Sequence, residues 1–234
     1  MRAADQLPPL VRRYLERALP TGAPTPRQVQ IKQSGEMFRR PGAQAMRFTA
    51  TERFAVERVA FSWKARFPIA PLVSVKVLDG YAHGSGMLRV RALGFPVQTR
   101  SGRDIDAGEA YRYLAELPWV PHAMAANHEL EWREVDERSV EVVAEVSGER
   151  PTVRLEFDDT GDIVRCSADA RPRDVDGGSW PTRWGGDLRD YRTLGAIRMP
   201  TRAEVYWDLP EGRFVYWRGQ LTAAQAMDQS FDRI

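Results

Sequence analysis

The last third of the chain constrains the fold most, because polar and apolar residues alternate through it over long stretches. One alternating segment begins at Trp180 and reaches a turn near Gly195, and a second continues to a turn at 210–212. A third segment then leads to Arg218. A period of two is typical of strands with one buried face. The pattern predicts three long antiparallel strands joined by tight turns.

Two blocks with this period flank a central segment with a different pattern. Alternation runs from Val29 to Leu93 and resumes at Leu130, and a hairpin turn is expected at 158–162. We expect a single domain over residues 1–234. Its expected parts are an N-terminal helix at 7–19, a first β block at 27–100, a helical insertion at 106–127 and a second β block at 129–224.

Two segments have the spacing of helices. Apolar residues recur every three or four positions over 7–19, and the proline pair near its start fits a first helical turn. In the centre, Asp106 is expected to cap a helix over 107–117, with Glu109 returning a bond to the cap. A proline ends that helix, and a second short helix is expected from Pro121.

These elements predict an α+β fold that is mainly β. An antiparallel sheet of about ten strands cannot stay flat, because strand twist accumulates until the sheet curls or splits. The apolar inner face then needs a cover, and only the two helical segments can supply one. We therefore expect a large curved antiparallel meander, or half-barrel, with an apolar groove between sheet and helices.

The charge pattern argues against a polyanionic partner. The net charge is only +2, and the basic residues are distributed along the chain among acidic ones. No basic block indicates binding to nucleic acid or to an anionic membrane. Of the 34 basic residues, 31 are Arg, which reflects either recognition of phosphate and carboxylate groups or a GC-rich coding genome.

No motif points to a metal or a cofactor. The single cysteine, Cys166, excludes an intramolecular disulfide and a multi-cysteine metal site. The three histidines, His83, His122 and His128, do not have the spacing of metal ligands. No apolar run is long enough to span a membrane or to act as a signal peptide, so the expected location is the cytoplasm.

The central helix carries the first candidate site. Glu109, Arg112, Tyr113 and Glu116 share one flank at helical spacing. Two acids, a guanidinium and a phenol could bind a polar head group or perform acid–base chemistry. The same spacing also fits an ordinary solvated helix face with stabilising ion pairs.

A second candidate is Glu52, an acid in a strand pattern. It shares strand parity with Phe48 and Phe54, so an unbroken strand directs it inward. Burial would raise the pKa of its carboxyl, which suits a general acid or a ligand anchor. The alternatives are a β-bulge that turns it outward or an Arg partner with a structural role.

Three spaced motifs resemble a bacterial family of uncharacterised proteins known as a domain of unknown function. They are L-P-P-L-V-R-R-Y-L at 7–15, G-E-A-Y-R-Y-L-A-E-L-P-W-V-P at 108–121, and W-G-G-D-L-R-D-Y-R with M-P-T-R-A-E-V-Y-W within 184–207. More distantly, the segment 188–200 is similar to a pattern of periplasmic lipoprotein-carrier (LolA-like) proteins. That resemblance implies a curved half-barrel that holds acyl chains beneath helices.

The preferred hypothesis is a non-catalytic binder or carrier of a hydrophobic or amphiphilic, lipid-like small molecule. Trp63, Trp119, Trp184 and Trp207 are expected to line the cavity, with Arg112 or Tyr113 near its mouth and Glu52 and Glu109 as further ligand-binding candidates. Such pockets are mostly apolar with a few placed polar groups. The alternative is a metal-independent hydrolase or isomerase that uses Glu52 or Glu109 with Tyr113. The sequence leaves the oligomeric state open.

Overall fold

All strands of the protein belong to one antiparallel sheet, as seen in a computed structural model that describes residues 6–231. The strand order is β6-β5-β4-β3-β2-β1-β13-β12-β11-β10-β9-β8-β7. Each half of the chain is thus a simple meander, and the two edge strands, β6 and β7, do not pair with each other. This unclosed, curved sheet confirms the predicted fold class.

The strands vary in length, and the four longest, of 13 to 17 residues, include the three that the long alternation predicts. In the first meander they are β1 Gln28–Met37, β2 Met46–Ala55, β3 Phe61–Ala70, β4 Val73–Ala82, β5 Ser85–Ala92 and β6 Phe95–Arg100. In the second they are β7 Glu131–Asp136, β8 Ser139–Val143, β9 Thr152–Phe157, β10 Ile163–Val175, β11 Gly178–Leu194, β12 Ile197–Leu209 and β13 Gly212–Met227.

The predicted turns lie where the sequence places them. β11 and β12 are joined at Gly195, β12 and β13 at 210–211, and β9 and β10 at 158–162. Gly195 has φ 61°, a left-handed conformation that favours glycine. The two meanders meet where β1 pairs with β13, from Gln28 opposite Met227 to Met37 opposite Trp217.

Helix α1, Pro9–Ala18, lies within the predicted segment 7–19 and packs on the inner side of the sheet. Its buried face includes Val11 and Tyr14. The Tyr14 hydroxyl donates a hydrogen bond of 2.9 Å to the Pro118 carbonyl, which links α1 to the segment after the central helix. Burial raises the pKa of Tyr14, so this hydroxyl stays a donor.

The central insertion differs from the expectation at its start. Helix α2, Arg103–Ala115, begins one turn earlier than predicted, and Gly102 stands at its N-cap. The predicted cap at Asp106 is wrong, because its carboxylate accepts a 2.6 Å bond from the Gly86 N–H in the β4–β5 hairpin. The capping role of Glu109 is wrong as well, because that side chain is buried. A tertiary contact replaces the local cap.

The rest of the insertion follows α2 closely. A 3-10 turn at Leu117–Trp119 leads into α3, Pro121–Ala126, which starts at the predicted proline. None of the helices within residues 6–231 combines the length and apolarity needed to cross a membrane.

Aromatic packing fills most of the space between sheet and helices. The ring centroid of Phe48 lies 5.5 Å from that of Trp63 and 5.9 Å from that of Trp217, and Trp217 lies 6.1 Å from Trp119. At the edge of this cluster, where the sequence predicts an apolar groove, lies a cavity of about 150 Å³.

The junction of the two meanders yields a first prediction. A Cβ atom on Gly35 would lie 2.1 Å from the Arg218 carbonyl oxygen and 2.9 Å from the Phe48 ring. Gly35→Ala should therefore lower the free energy of unfolding by about 3 kcal/mol, because the β1–β13 backbone must shift. Urea denaturation followed by circular dichroism measures this.

Gly108→Ala is the matched control. An added Cβ at Gly108 has nothing within 4 Å, and alanine is favoured over glycine inside a helix by about 1 kcal/mol. Equal stabilities for the two variants would contradict the close approach of β1 and β13.

Candidate functional site

The cavity of about 150 Å³ lies between the inner face of the sheet and the end of α2. Its walls are largely aromatic, and its aromatic residues are Trp63, Trp119, Trp184, Tyr216 and Trp217. Its charged residues are Asp79, Arg112, Glu116 and Arg171. A mostly apolar lining with a few placed charges is typical of a ligand-binding site, whereas the volume is below the usual range for one.

Arg112 is the centre of the charged group. Its guanidinium donates to three carboxyl groups: Nε to Glu116 at 2.9 Å, Nη1 to Asp79 at 2.9 Å and Nη2 to Glu52 at 2.7 Å. The same guanidinium lies 5.2 Å from the ring centroid of Trp63. Arg112 is thus held from three sides and stacked on a ring, which fixes its position.

Strand register and helical spacing together create this arrangement. Glu52 on β2 lies opposite Trp63 on β3, and Trp63 lies opposite Asp79 on β4, so one row across the inner face carries both acids. Arg112 on α2 and Glu116, which directly follows the helix, are four residues apart and share a face. The side chains of this helix face and of the row on the sheet therefore meet at the Arg112 guanidinium.

The Glu52 carboxyl is completely buried and has a second partner. Gln33 Nε2 donates to its Oε2 at 2.6 Å, and Trp63 Nε1 donates to Gln33 Oε1 at 3.2 Å. The strand is regular here, so the proposed bulge is wrong and the Arg-partner alternative describes this residue.

Burial raises the pKa of all four carboxyls around Arg112. For Glu52 the burial effect is reinforced chiefly by Glu116, and for Glu109 chiefly by Asp79. The pKa values of Asp79 and Glu116 are also raised by burial, although Arg112 opposes that effect. The acids thus form two interacting pairs, Glu52 with Glu116 and Asp79 with Glu109.

One proton in each pair would give the buried carboxyl oxygens a donor. When all four acids are ionised, Asp79 Oδ1, Glu109 Oε2 and Glu116 Oε2 have no donor among the described residues. Protons on Glu52 and Glu109, the acids whose pKa rises most, would supply donors to their neighbours.

Arg171 forms the opposite wall of the cavity. Its guanidinium lies 4.3 Å from the Trp184 ring centroid, and its Nη1 donates to the Tyr216 hydroxyl at 3.1 Å. Trp184 Nε1 donates to the same hydroxyl at 3.0 Å. Within residues 6–231, Arg171 Nε has no acceptor, and the Tyr216 oxygen only accepts, which leaves its O–H free.

The structure brings some of the eight candidate residues together and separates others. Trp63, Arg112, Trp119 and Trp184 line the cavity. Glu52 and Glu109 belong to the acid pairs around Arg112. Trp207 is not among the lining residues of the cavity, and its ring stacks on that of Tyr216 with a centroid distance of 5.9 Å.

Tyr113 belongs to a different environment. Its hydroxyl donates to the Ala55 carbonyl at 3.1 Å and accepts from Asn127 Nδ2 at 3.0 Å. No carboxyl is among these partners, so the structure does not assemble Tyr113 with Glu52 or Glu109. The solvated-helix alternative for this flank is also wrong, because Glu109 is only 7% exposed.

Sequence reasoning missed Asp79, Arg171, Tyr216 and Trp217. Asp79 was detectable, because it has the same strand parity as Val75 and Val77 and is thus an inward acid like Glu52. For Arg171 no comparable signal exists, since its role depends on a pairing with β11 that shifts register between Ala168 and Arg171.

The fold and the cavity define a class: an unclosed, mainly β half-barrel whose helices cover a small aromatic cavity with a buried arginine–carboxyl cluster. The chain belongs to the family of unknown function DUF6544, whose model matches residues 2–219. No curated protein matches the chain.

Two solved structures are similar to it. One is a LolA superfamily protein from Nitrosomonas europaea, with a TM-score of 0.49 and 10% identity, covering 94% of this chain and 93% of that one. The other is a DUF1329 family protein from Desulfovibrio piger, with a TM-score of 0.38 and 11% identity, covering 93% and 90%.

The acid pairs predict an unusual dependence of stability on pH. The pKa of Glu109 in the folded protein is raised above its ordinary value of 4.5, so its contribution is complete below that pH and is lost as pH rises through the folded pKa. Glu109→Gln removes this proton uptake and keeps a donor for Asp79. At about pH 7 the variant should be at least about 1 kcal/mol more stable than the unmodified protein.

Denaturant unfolding at several pH values tests this. The stability gain should shrink as pH falls towards about 4.5, and Glu134→Gln, at an exposed position of β7, should show no such trend. A Glu109→Gln variant that is less stable than the unmodified protein at neutral pH would refute the shared proton.

Substitution of Arg112 should instead lower the stability of the protein at neutral pH. Arg112→Met leaves the buried carboxyls without their cation, and the expected loss at neutral pH is about 4 kcal/mol. The loss should diminish in acid, because the carboxyls then become neutral. Thermal unfolding at about pH 7 and about pH 4 compares the two conditions.

Proposed function

We propose that the protein reversibly binds a small amphiphilic molecule whose polar end enters the aromatic cavity. The observation that carries this proposal is a pair of donors in the cavity wall, Arg171 Nε–H and the Tyr216 O–H, for which residues 6–231 supply no acceptor. A buried donor without a partner costs free energy, and a ligand acceptor would recover it.

The donors define the chemistry of the head group. Arg112 is already bound to three carboxyls, so Arg171 is the cation that a ligand can engage. A carboxylate or phosphate oxygen accepts from a guanidinium and a phenol at once. We therefore expect an acidic head group.

The cavity volume limits what can enter. About 150 Å³ corresponds to roughly five water molecules at bulk density, less than the volume of a typical ligand pocket. It holds a head group or a short chain end, and the remainder of a longer ligand would lie outside it. The sequence similarity to lipoprotein-carrier proteins is consistent with such a role.

Displacement of a dansylated fatty acid tests the proposal. The unmodified protein should bind the probe, and Arg171→Met should weaken binding by roughly 30-fold, because a hydrogen bond to a charged group is lost. Val205→Phe, which fills the cavity from β12, should also reduce binding. Fluorescence titration gives the dissociation constants.

Arg183→Met is the control. Arg183 is exposed and pairs with Asp169 on the outer face, away from the cavity walls. Its substitution should leave the dissociation constant unchanged. Native mass spectrometry of gently purified protein gives a second readout, and an empty protein together with no probe binding would overturn the proposal.

A further inference from the structure

The hairpins β3–β4 and β5–β6 turn at the same end of the sheet and present apolar side chains to solvent. Leu72 is 100% exposed and Leu93 is 71% exposed, each at the tip of its turn. Further exposed apolar residues beside them are Ile69, Phe95 and Val97. Together these five residues form what we name the apolar tip.

The turns themselves disfavour leucine. Leu72 follows Pro71 with φ 66°, and Leu93 precedes Gly94 with φ 51°. Both are left-handed positions where Asn, Asp or Gly is preferred. Two turns of the same kind as that of Leu93, each a left-handed residue followed by a left-handed Gly, carry polar residues there, namely His83 and Asp176. The two tip leucines thus adopt an unfavourable backbone conformation and pack little against residues 6–231.

Cations surround the apolar tip on the outer face of β3, β4 and β5. A hollow of about 300 Å³ is lined by both tip leucines together with Arg66, Lys76 and Arg91. Lys64 and Arg89 line a neighbouring hollow with the same three cations. Among residues 6–231, none of the five cations forms an ion pair.

The acids of this region cannot neutralise that face. Between residues 61 and 100 the chain has six basic residues and a single acid, Asp79. Asp79 points to the inner face and binds Arg112. The expectation of no basic footprint is corrected here: strand alternation collects cations that are well separated along the sequence on one surface.

We propose that the apolar tip and its cations dock on the surface of an anionic phospholipid membrane. The two features match the two layers of such a surface, because aliphatic side chains at turn tips enter the acyl boundary while Lys and Arg contact lipid phosphates. Nucleic acid would use the cations alone, and a second copy of the chain would bring like charges together. The inference does not depend on the ligand of the aromatic cavity.

Co-flotation with large unilamellar vesicles tests the proposal. The protein should float with vesicles containing about 30% phosphatidylglycerol in phosphatidylcholine, and only weakly with phosphatidylcholine alone. Leu72→Asn with Leu93→Asn should weaken binding at least about 30-fold while keeping or raising stability, because Asn suits the left-handed turn positions. Lys76→Gln with Arg91→Gln should weaken binding about 30-fold and reduce its salt dependence.

Val135→Asn is the matched control, because Val135 is an exposed apolar residue on β7, the edge strand farthest from β6 in the sheet. It should leave flotation unchanged. Absence of flotation, equal binding to both vesicle types, or an unaffected leucine variant would each overturn the proposal. Salt-sensitive binding to RNA without vesicle binding, or a dimer that the leucine variant dissociates, would do so as well.

Discussion

The buried guanidinium of Arg112 is the contact on which the inner architecture depends. Four carboxyls meet beneath the central helix, and removing them from water is unfavourable unless a cation and shared protons compensate. Because Arg112 bonds to groups on β2, β4 and α2, the same contact fixes the helix against the first meander. The aromatic rings therefore pack around a charged cluster rather than around an entirely apolar centre.

That organisation explains why the cavity is small and polar on one side. Large aromatic side chains pack against the inner face of the curved sheet, and the cavity lies where this packing meets the charged residues Asp79, Arg112, Glu116 and Arg171. Arg171 and Tyr216 face this space with free donors. A ligand would therefore accept hydrogen bonds from these free donors rather than simply fill an apolar channel.

Much of the fold could be predicted from the sequence, because an alternation of polar and apolar residues directly identifies strands that bury one face. The hairpin turn at Gly195, the inward acid at Glu52 and the helix at Pro121 all follow from local chemistry. The start of α2 could not, since Asp106 binds a hairpin far from it in sequence. The position of Arg171, and the grouping of five cations on the outer face of β3, β4 and β5, depend on strand register and on which face of the sheet each side chain occupies. Both are set by the pairing between strands.

The seam between β1 and β13 has a consequence for how the chain acquires its structure. These neighbouring strands are separated by nearly the whole sequence, so the first meander keeps an open edge until the last long strand is synthesised. Closing such a distant contact costs loop entropy before it returns any energy, which slows folding. During synthesis there is therefore a long interval in which a chaperone or another nascent chain can bind the unpaired edge of β1.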